Sequence, residues 1–431
     1  MSISFSGFLQ EFNTINLQMA TKIPGGRKRR PPRLQRQEVI AGLAWHVMQP
    51  SGTFAHSVKM LTCKRMSESA LSERRQSMGT EPWKDALKTT LRPLANIKEH
   101  PDAFYKGFRL VGVDGTTLNV ANTPPMKKKK VKTKSRRGCA AFHRIGCAAL
   151  VELGTHSPLA LRTGEDNESE SVLAASVVEH LTTKDLIIAD RYYGSGKWAA
   201  QFLEMPQQPM FLLRVQERFK AVTMEKLTDG SRIVAVHDPQ TATPILLREV
   251  KGNVRRPGKK WVKVRFWTNL MDELCYPAEE LIALYAMRWE QEIAFREIKE
   301  HLHKNTILLS HTPVTAVQEI CALFMAQAMV SRARCAVGIN YKAPIMLVSY
   351  RKTLDACRNL CWLKTILDVN LTKLQMETII RHIEEELAKQ LSPPRRKRSC
   401  PRAVRQPINK WPRLMKNIYD KGNFQYAVRK A

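Results

Sequence analysis

Three acidic residues lie where they could bind metal ions together. Asp114 follows the apolar run 111–113, Asp190 follows the apolar run 186–189, and Glu292 lies on a predicted helix further along the chain. Either aspartate alone is explained as well by a strand-end residue that caps a turn. A carboxylate at the end of a buried strand is costly to desolvate unless it is paired or binds a cation, so the three acids together favour a functional interpretation.

The third acid belongs to a helix that we predict over residues 277–303. Tyr285, Arg288, Glu292 and Lys299 follow one another at spacings of 3, 4 and 7 residues. At about 100° per residue this spacing places all four on one face, while apolar residues occupy another face. The stripe alone is equally typical of an amphipathic helix in which Arg288 and Glu292 form an i, i+4 ion pair.

Three carboxylates are the ligand set of two-metal phosphoryl transfer, because Mg²⁺ prefers hard oxygen ligands. We expect Asp114, Asp190 and Glu292 to hold two Mg²⁺ ions, for which Mn²⁺ would substitute. One ion would activate the attacking water or 3′-hydroxyl, and the other would stabilise the leaving oxygen. The groups expected to contact phosphates are Arg288, Lys299 and Tyr285.

The elements that must position these residues are predicted from hydrophobic periodicity. Strands are expected at 108–113, 118–121, 144–152 and 159–163, then a helix at 168–182, a strand at 186–189, a helix at 196–204 and a strand at 210–215. This order predicts a mixed α/β sheet whose middle strands are buried on both faces. Alternating runs and turn signals between 216 and 270 predict an all-β insertion.

These patterns divide the chain into five segments. We predict a helical N-terminal DNA-binding domain (1–104), the first part of the catalytic core (105–215), the β-strand insertion (216–270), the second part of the core with the glutamate helix (271–340) and a helical C-terminal region with a basic tail (341–431). The N-terminal helices, with Arg74 and Arg75 on a basic second helix, resemble a helix-turn-helix arrangement. A plain helical bundle with exposed arginines explains them as well.

Charge points to a polyanionic partner. The chain of 431 residues carries 70 Lys+Arg against 39 Asp+Glu, a formal net charge of +31. An ordinary metabolic enzyme is therefore not the default, and nucleic acid is the leading partner. Basic clusters lie at 27–36, 127–137 and 395–405, and we expect the second to hold the DNA backbone without reading bases. Its first lysines are Lys127, Lys128, Lys129 and Lys130.

The remaining composition bears on location. Nine cysteines are scattered without the spacing of a zinc site or a disulfide framework. The first residues lack the basic and apolar regions of a signal peptide, and no membrane-spanning apolar run is evident. We therefore expect a cytoplasmic, DNA-accessible protein in a reducing compartment, with no membrane association.

Three motifs together resemble a known family. They are Val113-Asp114-Gly115-Thr116, Ala189-Asp190-Arg191-Tyr192-Tyr193, and Tyr285-Ala-Met-Arg288-Trp-Glu-Gln-Glu292 with Lys299. In order and context they resemble the DDE transposases of bacterial insertion sequences, of the insertion-sequence-four type with its Y-x2-R-x3-E-x6-K helix. The resemblance covers about 105–340.

The resemblance implies a ribonuclease-H-like core with a β-strand insertion before the glutamate helix. It also implies the family's chemistry. Members of the family use Mg²⁺ to hydrolyse the phosphodiester at the element ends and then join the freed 3′-hydroxyl to target DNA, commonly through a hairpin on the element end. Asp114, Asp190 and Glu292 would be the metal ligands. The residues placed at the DNA near the reactive end are Tyr285, Arg288 and Lys299. We also expect Arg191 to contact DNA. The partners would be double-stranded DNA, as terminal inverted repeats and target, and a second subunit of a homodimer.

Hairpin formation strains a strand and would be helped by an aromatic platform for a flipped base. We expect either Trp289 or Trp267 to be that platform, the alternative being that both are core aromatics. Two other functions remain open: a Mg²⁺-dependent DNA nuclease without strand transfer, and a catalytically inactive DNA-binding protein derived from a transposase.

Overall fold

The computed structural model describes residues 33–49, 51–129, 134–135, 138–164, 168–237, 244–254, 262–303, 305, 307–366 and 372–393. The part before the catalytic helix contains, in chain order, α1 (Arg36–Met48), α2 (Phe54–Thr62), α3 (Glu68–Met78), α4 (Glu81–Thr90), β1 (Phe104–Tyr105), β2 (Phe108–Val120), α5 (Pro124–Lys129), β3 (Lys134–Ser135), β4 (Gly138–Cys139), β5 (His143–Glu152), β6 (Ser157–Thr163), α6 (Glu170–Val178), β7 (Asp185–Ala189), α7 (Gly196–Glu204), β8 (Met210–Arg214), β9 (Val222–Lys226), β10 (Arg232–Val236), β11 (Ile245–Val254) and β12 (Val262–Thr268). The rest contains α8 (Ala278–Leu284), α9 (Arg288–Glu297), α10 (Pro313–Asn340), α11 (Tyr350–Ile366) and α12 (Lys373–Lys389).

The core of the sheet has the order β6-β5-β2-β7-β8. Strands β2, β5 and β6 pair antiparallel, whereas β7 is parallel to both β2 and β8. Strand β7 is buried along its whole length, as its run of aliphatic residues predicts. Helices α6 and α7 make the crossovers to β7 and β8. This topology confirms the predicted ribonuclease-H-like mixed α/β core.

The predicted all-β insertion is confirmed as four antiparallel strands that continue the same sheet. Strand β12 pairs with β8, and β11, β10 and β9 follow outward. The insertion therefore shares backbone hydrogen bonds with the last strand of the core.

One boundary prediction is wrong. Residues 108–113 and 118–121 do not form two strands, because β2 runs unbroken for 13 residues from Phe108 to Val120. Pairing with β5 extends from Val111 to Val120 and keeps the chain extended past Asp114. Asp114 thus lies within a strand and not at its end.

The predicted continuous helix over 277–303 is also wrong in detail. Helix α8 gives way to a 3₁₀ turn at Tyr285–Met287, α9 follows, and a π turn occupies Ile298–Leu302. A 3₁₀ turn has fewer residues per turn than an α-helix, and a π turn has more. A uniform step of about 100° per residue therefore does not hold across this segment. A π turn inside a helix is frequent at functional sites.

Helix α10 is the centre of the helical layer. It packs against α1, α4, β6 and α11. Among the described residues, α10 alone is long and apolar enough to cross a membrane by length and composition, yet 94% of its apolar window is buried inside the protein. It is the core helix of the fold.

The N-terminal helices are attached to this layer by Arg75. Its guanidinium donates to the Ser310 hydroxyl, the Thr315 carbonyl and the Gln318 side chain, at 3.0, 2.7 and 3.1 Å. A side chain that is committed to three internal acceptors cannot read DNA, so Arg75 is a structural residue. Arg74 is its neighbour on α3.

Candidate active site

Asp114 and Asp190 lie side by side on neighbouring parallel strands. The last paired positions of β2 and β7 are Gly112 and Ile188, and each aspartate lies two residues further along its strand direction. Backbone N–H groups hold both carboxylates: that of Gly115 donates to Asp114 Oδ1 at 2.8 Å, and that of Tyr192 donates to Asp190 Oδ1 at 2.7 Å. The predicted meeting of the two acids at one edge follows from this register.

The negative charge at this edge is only partly offset. Burial, followed by the charges of Asp190 and Glu170, raises the pKa of Asp114 to about 7, against the opposite action of the Gly115 N–H and Arg288. A carboxyl group with a pKa near 7 is poised to exchange its proton for a metal ion.

Glu292 and Arg288 form an ion pair across one turn of α9. The Arg288 Nη2 to Glu292 Oε1 distance is 2.5 Å. Burial lowers the pKa of Arg288, but its bond to Glu292 and the charges of Tyr285 and Asp190 together raise it above the ordinary value. Arg288 therefore interacts with all three predicted metal ligands.

The donor set fits a hard divalent cation, although not in this side-chain arrangement. Asp114, Asp190 and Glu292 offer carboxylate oxygens, the ligands that Mg²⁺ prefers. Across the described ranges, no group of three or more Asp, Glu, His or Cys side chains is arranged to hold a metal ion. The carboxylate of Glu292 is instead bonded to Arg288.

Lys299 lies on the π turn and opens onto a groove beside the acids. The groove has a volume of about 580 Å³ and includes Glu292 and Arg144 in its lining. Partial desolvation lowers the pKa of Lys299 and the nearby Arg144 charge adds to this, while Cys147 and Asp114 act to raise it. The groove is bounded by β2 on one side and the glutamate helix on the other.

Tyr285 packs deeper than Arg288. Its ring centroid lies 4.7 Å from that of Phe266, and the Arg214 guanidinium carbon lies 6.0 Å from the ring. The Tyr285 hydroxyl oxygen is buried and has no hydrogen-bond partner within the described part of the chain. A buried polar atom of this kind is costly to the free protein and is available to a bound ligand.

A buried ion cluster fixes the glutamate helix to the core. His156, in the turn between β5 and β6, places Nδ1 2.9 Å from Glu297 Oε2 and Nε2 2.9 Å from Glu290 Oε2. From α10, Arg334 Nη1 lies 3.1 Å from Glu297 Oε1. We refer to His156, Glu290, Glu297 and Arg334 as the His156 cluster. It contacts α9 two residues before Glu292 and again at the end of the helix.

The charges of the His156 cluster balance one another. Burial opposes ionisation, but the positive charges of His156 and Arg334 lower the pKa of Glu297 to about 2. Burial likewise lowers the pKa of His156, yet Glu297 and Glu290 outweigh it and raise that pKa above its ordinary value. The cluster fixes the rotation and height of α9, and with them the position of Glu292.

A family model described as Transposase DDE domain matches residues 106–329. The chain belongs to the DDE transposase family. Transposase InsG for insertion sequence element IS4 of Escherichia coli (strain K12) is 26% identical over 313 residues, 70% of each chain. The cryo-EM structure of the piggyBac transposase synaptic complex with hairpin DNA aligns with 88% of this chain and 82% of that one, at 11% identity and a TM-score of 0.43. The predicted resemblance to transposases of the insertion-sequence-four type is thereby confirmed.

The lysines predicted to hold the DNA backbone of this transposase lie on and after α5. Lys127 and Lys128 are exposed, and Lys129 ends the helix. Lys130 lies outside the described residues, as do most of the basic cluster at 27–36 and all of that at 395–405. Arg191 is exposed directly after Asp190, and its carbonyl oxygen accepts a hydrogen bond from Gln216 at 2.9 Å.

The two tryptophans of the base-platform hypothesis differ in exposure. Trp267 is fully buried in the core of the transposase, and its indole N–H donates to Glu249 Oε2 at 3.2 Å. A ring that is enclosed by the core cannot stack on a base, so Trp267 is a core aromatic. Trp289 is 38% exposed, and the Arg288 guanidinium carbon lies 5.2 Å from its ring centroid.

Sequence reasoning missed Glu170 and Tyr193. Glu170 lies in the first turn of α6, and its charge acts on Asp114. Tyr193 is buried, and its hydroxyl donates to Glu170 Oε1 at 3.0 Å. The available signal was an acid at the start of the helix that follows the third core strand, a place that can equally be explained by attraction to the helix N-terminus.

Proposed function

We propose that this transposase binds the terminal inverted repeats of an insertion sequence, hydrolyses the phosphodiester bonds at its ends and joins the freed 3′-hydroxyl groups to target DNA. The observation that carries the proposal is the adjacent pair Asp114 and Asp190, whose charge is only partly offset. Arg288 interacts with both Asp190 and Glu292, which supports assigning the third acid to the same centre.

DDE transposases generally use divalent metal ions. In this proposal Asp114, Asp190 and Glu292 would hold two Mg²⁺ ions, with Mn²⁺ as a substitute, and the ions would supply activation of the attacking hydroxyl and stabilisation of the leaving oxygen. Glu292 is held by Arg288 in the free protein. A DNA phosphate that takes the Arg288 guanidinium would release Glu292 to turn toward the aspartates, because a bidentate phosphate contact replaces the lost ion pair.

DNA would approach along the groove beside the glutamate helix. Lys299 and Arg144 place positive charge there. The Tyr285 hydroxyl, which is not part of the groove lining, offers a donor that has no acceptor among the described residues. Arg191 would contact the backbone near Asp190, and Trp289 would stack on a displaced base. The lysines of α5 (Lys127, Lys128 and Lys129) and Lys130, which lies outside the described residues, would add backbone contacts that do not depend on base sequence.

The proposal includes a homodimer on two paired element ends, acting in the bacterial cytoplasm where the DNA is accessible. The dimer is proposed because, in members of the family, each subunit cleaves the DNA end that the other subunit holds. Light scattering of the protein with and without an end duplex would measure the mass. A complex that holds one subunit on two ends would contradict the dimer.

The test is a Mg²⁺-dependent cleavage and joining assay on a labelled duplex that carries the element's own end, with a target plasmid. The variant is Glu292→Gln, and the matched control is Glu279→Gln, an exposed acid in the first turn of α8. We expect the variant to bind DNA but to lose cleavage by more than about 100-fold, since even residues that only orient a metal ligand are worth 10- to 100-fold.

Each other outcome selects a different function. Cleavage without joining would favour a nuclease without strand transfer. DNA binding without cleavage by any form would favour an inactive DNA-binding protein. Equal cleavage by the wild type and Glu292→Gln would remove Glu292 from the active centre.

A further inference from the structure

Glu170 reaches from α6 to the backbone beside Asp114. A Cβ atom built on Gly115 would lie 2.7 Å from Glu170 Oε2, closer than real Cβ atoms approach a neighbour. The residue after Asp114 must therefore be glycine while Glu170 holds this position. The Glu170 side chain fills the space that a side chain at 115 would need.

The same carboxylate is bonded to the second aspartate motif. Glu170 Oε1 accepts the hydroxyl hydrogen of Tyr193 at 3.0 Å, and Tyr193 lies three residues after Asp190. Tyr193 is fully buried, with its ring centroid 5.1 Å from that of Trp198, so its hydroxyl has a fixed position. One side chain thus lies against Gly115 of β2 and bonds to Tyr193 in the turn that follows β7.

Glu170 is half-buried, and it differs in charge balance from its neighbour Glu168. Among the described residues Glu170 forms no ion pair, whereas its neighbour Glu168 faces Arg162 at 3.6 Å. A tyrosine hydroxyl needs only a neutral acceptor, which a glutamine would supply. Within the described residues the negative charge is therefore used by no ion pair, and its attraction to the N-terminus of α6 does not depend on Tyr193.

We propose that Glu170 is a positioning residue of the active centre, which holds Asp114 and Asp190 through Gly115 and Tyr193 and adds negative charge that favours a divalent cation at the aspartates. This inference rests on the proposed function. Groups in contact with metal ligands commonly set metal affinity in this way.

The test is calorimetric titration of Mn²⁺ into the full chain without DNA, which does not depend on activity. Glu170→Gln keeps an acceptor for Tyr193 and removes the charge, and we expect Mn²⁺ affinity to fall about 10-fold. Tyr193→Phe keeps the ring and releases Glu170, and we expect a fall of about 5-fold, the usual effect of one lost hydrogen bond.

Two further variants make the result specific. Glu179→Gln removes an exposed charge at the other end of the same helix and should leave Mn²⁺ affinity unchanged. Asp114→Asn should abolish binding. Wild-type affinity in both Glu170→Gln and Tyr193→Phe would overturn the inference, and so would an equal fall in Glu179→Gln.

The same titration distinguishes a failure of the Glu170 inference from a failure of the proposed metal site. If Asp114→Asn abolishes Mn²⁺ binding while Glu170→Gln and Tyr193→Phe bind as the wild type does, the role of Glu170 alone is lost. If Asp114→Asn also binds as the wild type does, the metal site of the proposed function fails with it.

Discussion

The His156 cluster and the aspartate pair of the candidate active site differ in charge balance. In the His156 cluster each acid faces a cation within 3.1 Å, and the pKa of Glu297 falls to about 2. Among the described residues Asp114 and Asp190 form no ion pair, and the pKa of Asp114 rises to about 7. Balanced buried charge fixes a structure, whereas unbalanced buried charge destabilises the fold unless a ligand compensates for it.

The largest expected effect comes from breaking the balanced group. Glu297→Gln leaves His156 and Arg334 buried without their shared counter-ion, and we expect the free energy of unfolding to fall by about 3–5 kcal/mol. Urea unfolding at pH 7 measures it, with the exposed neighbour Glu300→Gln as control. A loss below about 1 kcal/mol would mean that the cluster is not a balanced unit.

Supplying the missing cation should have the next largest effect. At a Mn²⁺ concentration about 100 times the dissociation constant, the wild type should gain about 2.7 kcal/mol in free energy of unfolding. Asp114→Asn should gain none. An equal gain in that variant would show that the metal binds elsewhere.

Removing the unbalanced charge should stabilise the metal-free protein. Folding raises the pKa of Asp114 from 3.8 to about 7, so the wild type loses stability as the pH rises from about 4 to about 7. Asp114→Asn escapes this loss, and we expect it to be more stable by about 2 kcal/mol at pH 8 and by almost nothing at pH 4. Urea titrations at both pH values test the sign.

At acid pH we expect the free energy of unfolding to change with pH in the opposite direction. The pKa of Glu297 is lowered from 4.5 to about 2, so the stability from its ionised form is present above pH 4.5 and lost as the pH falls toward 2. Glu297→Gln should remove the loss of stability below pH 4.5 and leave the loss between pH 4 and 7 unchanged. If the single substitution removed both losses, Glu297 and Asp114 would not titrate as independent groups.

The smallest effect on stability is expected where charge is fully hydrated. Replacing the exposed Lys127 and Lys128 by glutamine should change the free energy of unfolding by less than about 0.5 kcal/mol. The salt dependence of DNA binding should nevertheless flatten by roughly one unit per lost phosphate contact, equally for all sequences. Loss that depends on base sequence would contradict a backbone role.

The sheet could be predicted because apolar runs in the sequence indicate strands, but the sequence could not show which runs form one continuous strand. Asp114 and Gly115 interrupt the apolar pattern of β2, and only pairing with β5 keeps the strand unbroken there. The helix of Tyr285 and Lys299 was found, but its 3₁₀ and π turns depend on tertiary contacts such as that of Glu297 with His156.

The site shows the same division. Local motifs led to Asp114, Asp190 and Glu292, because each acid stands in a recognisable neighbourhood. Glu170 has no motif of its own, since its relation to Gly115 and Tyr193 exists only after α6 has packed on the sheet. Trp267 was a candidate base platform because its neighbouring sequence does not indicate that the side chain is completely buried.

Helix α10 also determines when the molecule can fold during its synthesis. It packs against α1, α4 and β6, all of which leave the ribosome long before it does. Until α10 emerges, the apolar faces of these earlier elements have no cover, and partly made chains expose surfaces that promote aggregation. Nascent chains that stop before residue 313 would therefore be bound by chaperones or degraded by proteases, and the core around the catalytic centre would be completed only after α10 has been made.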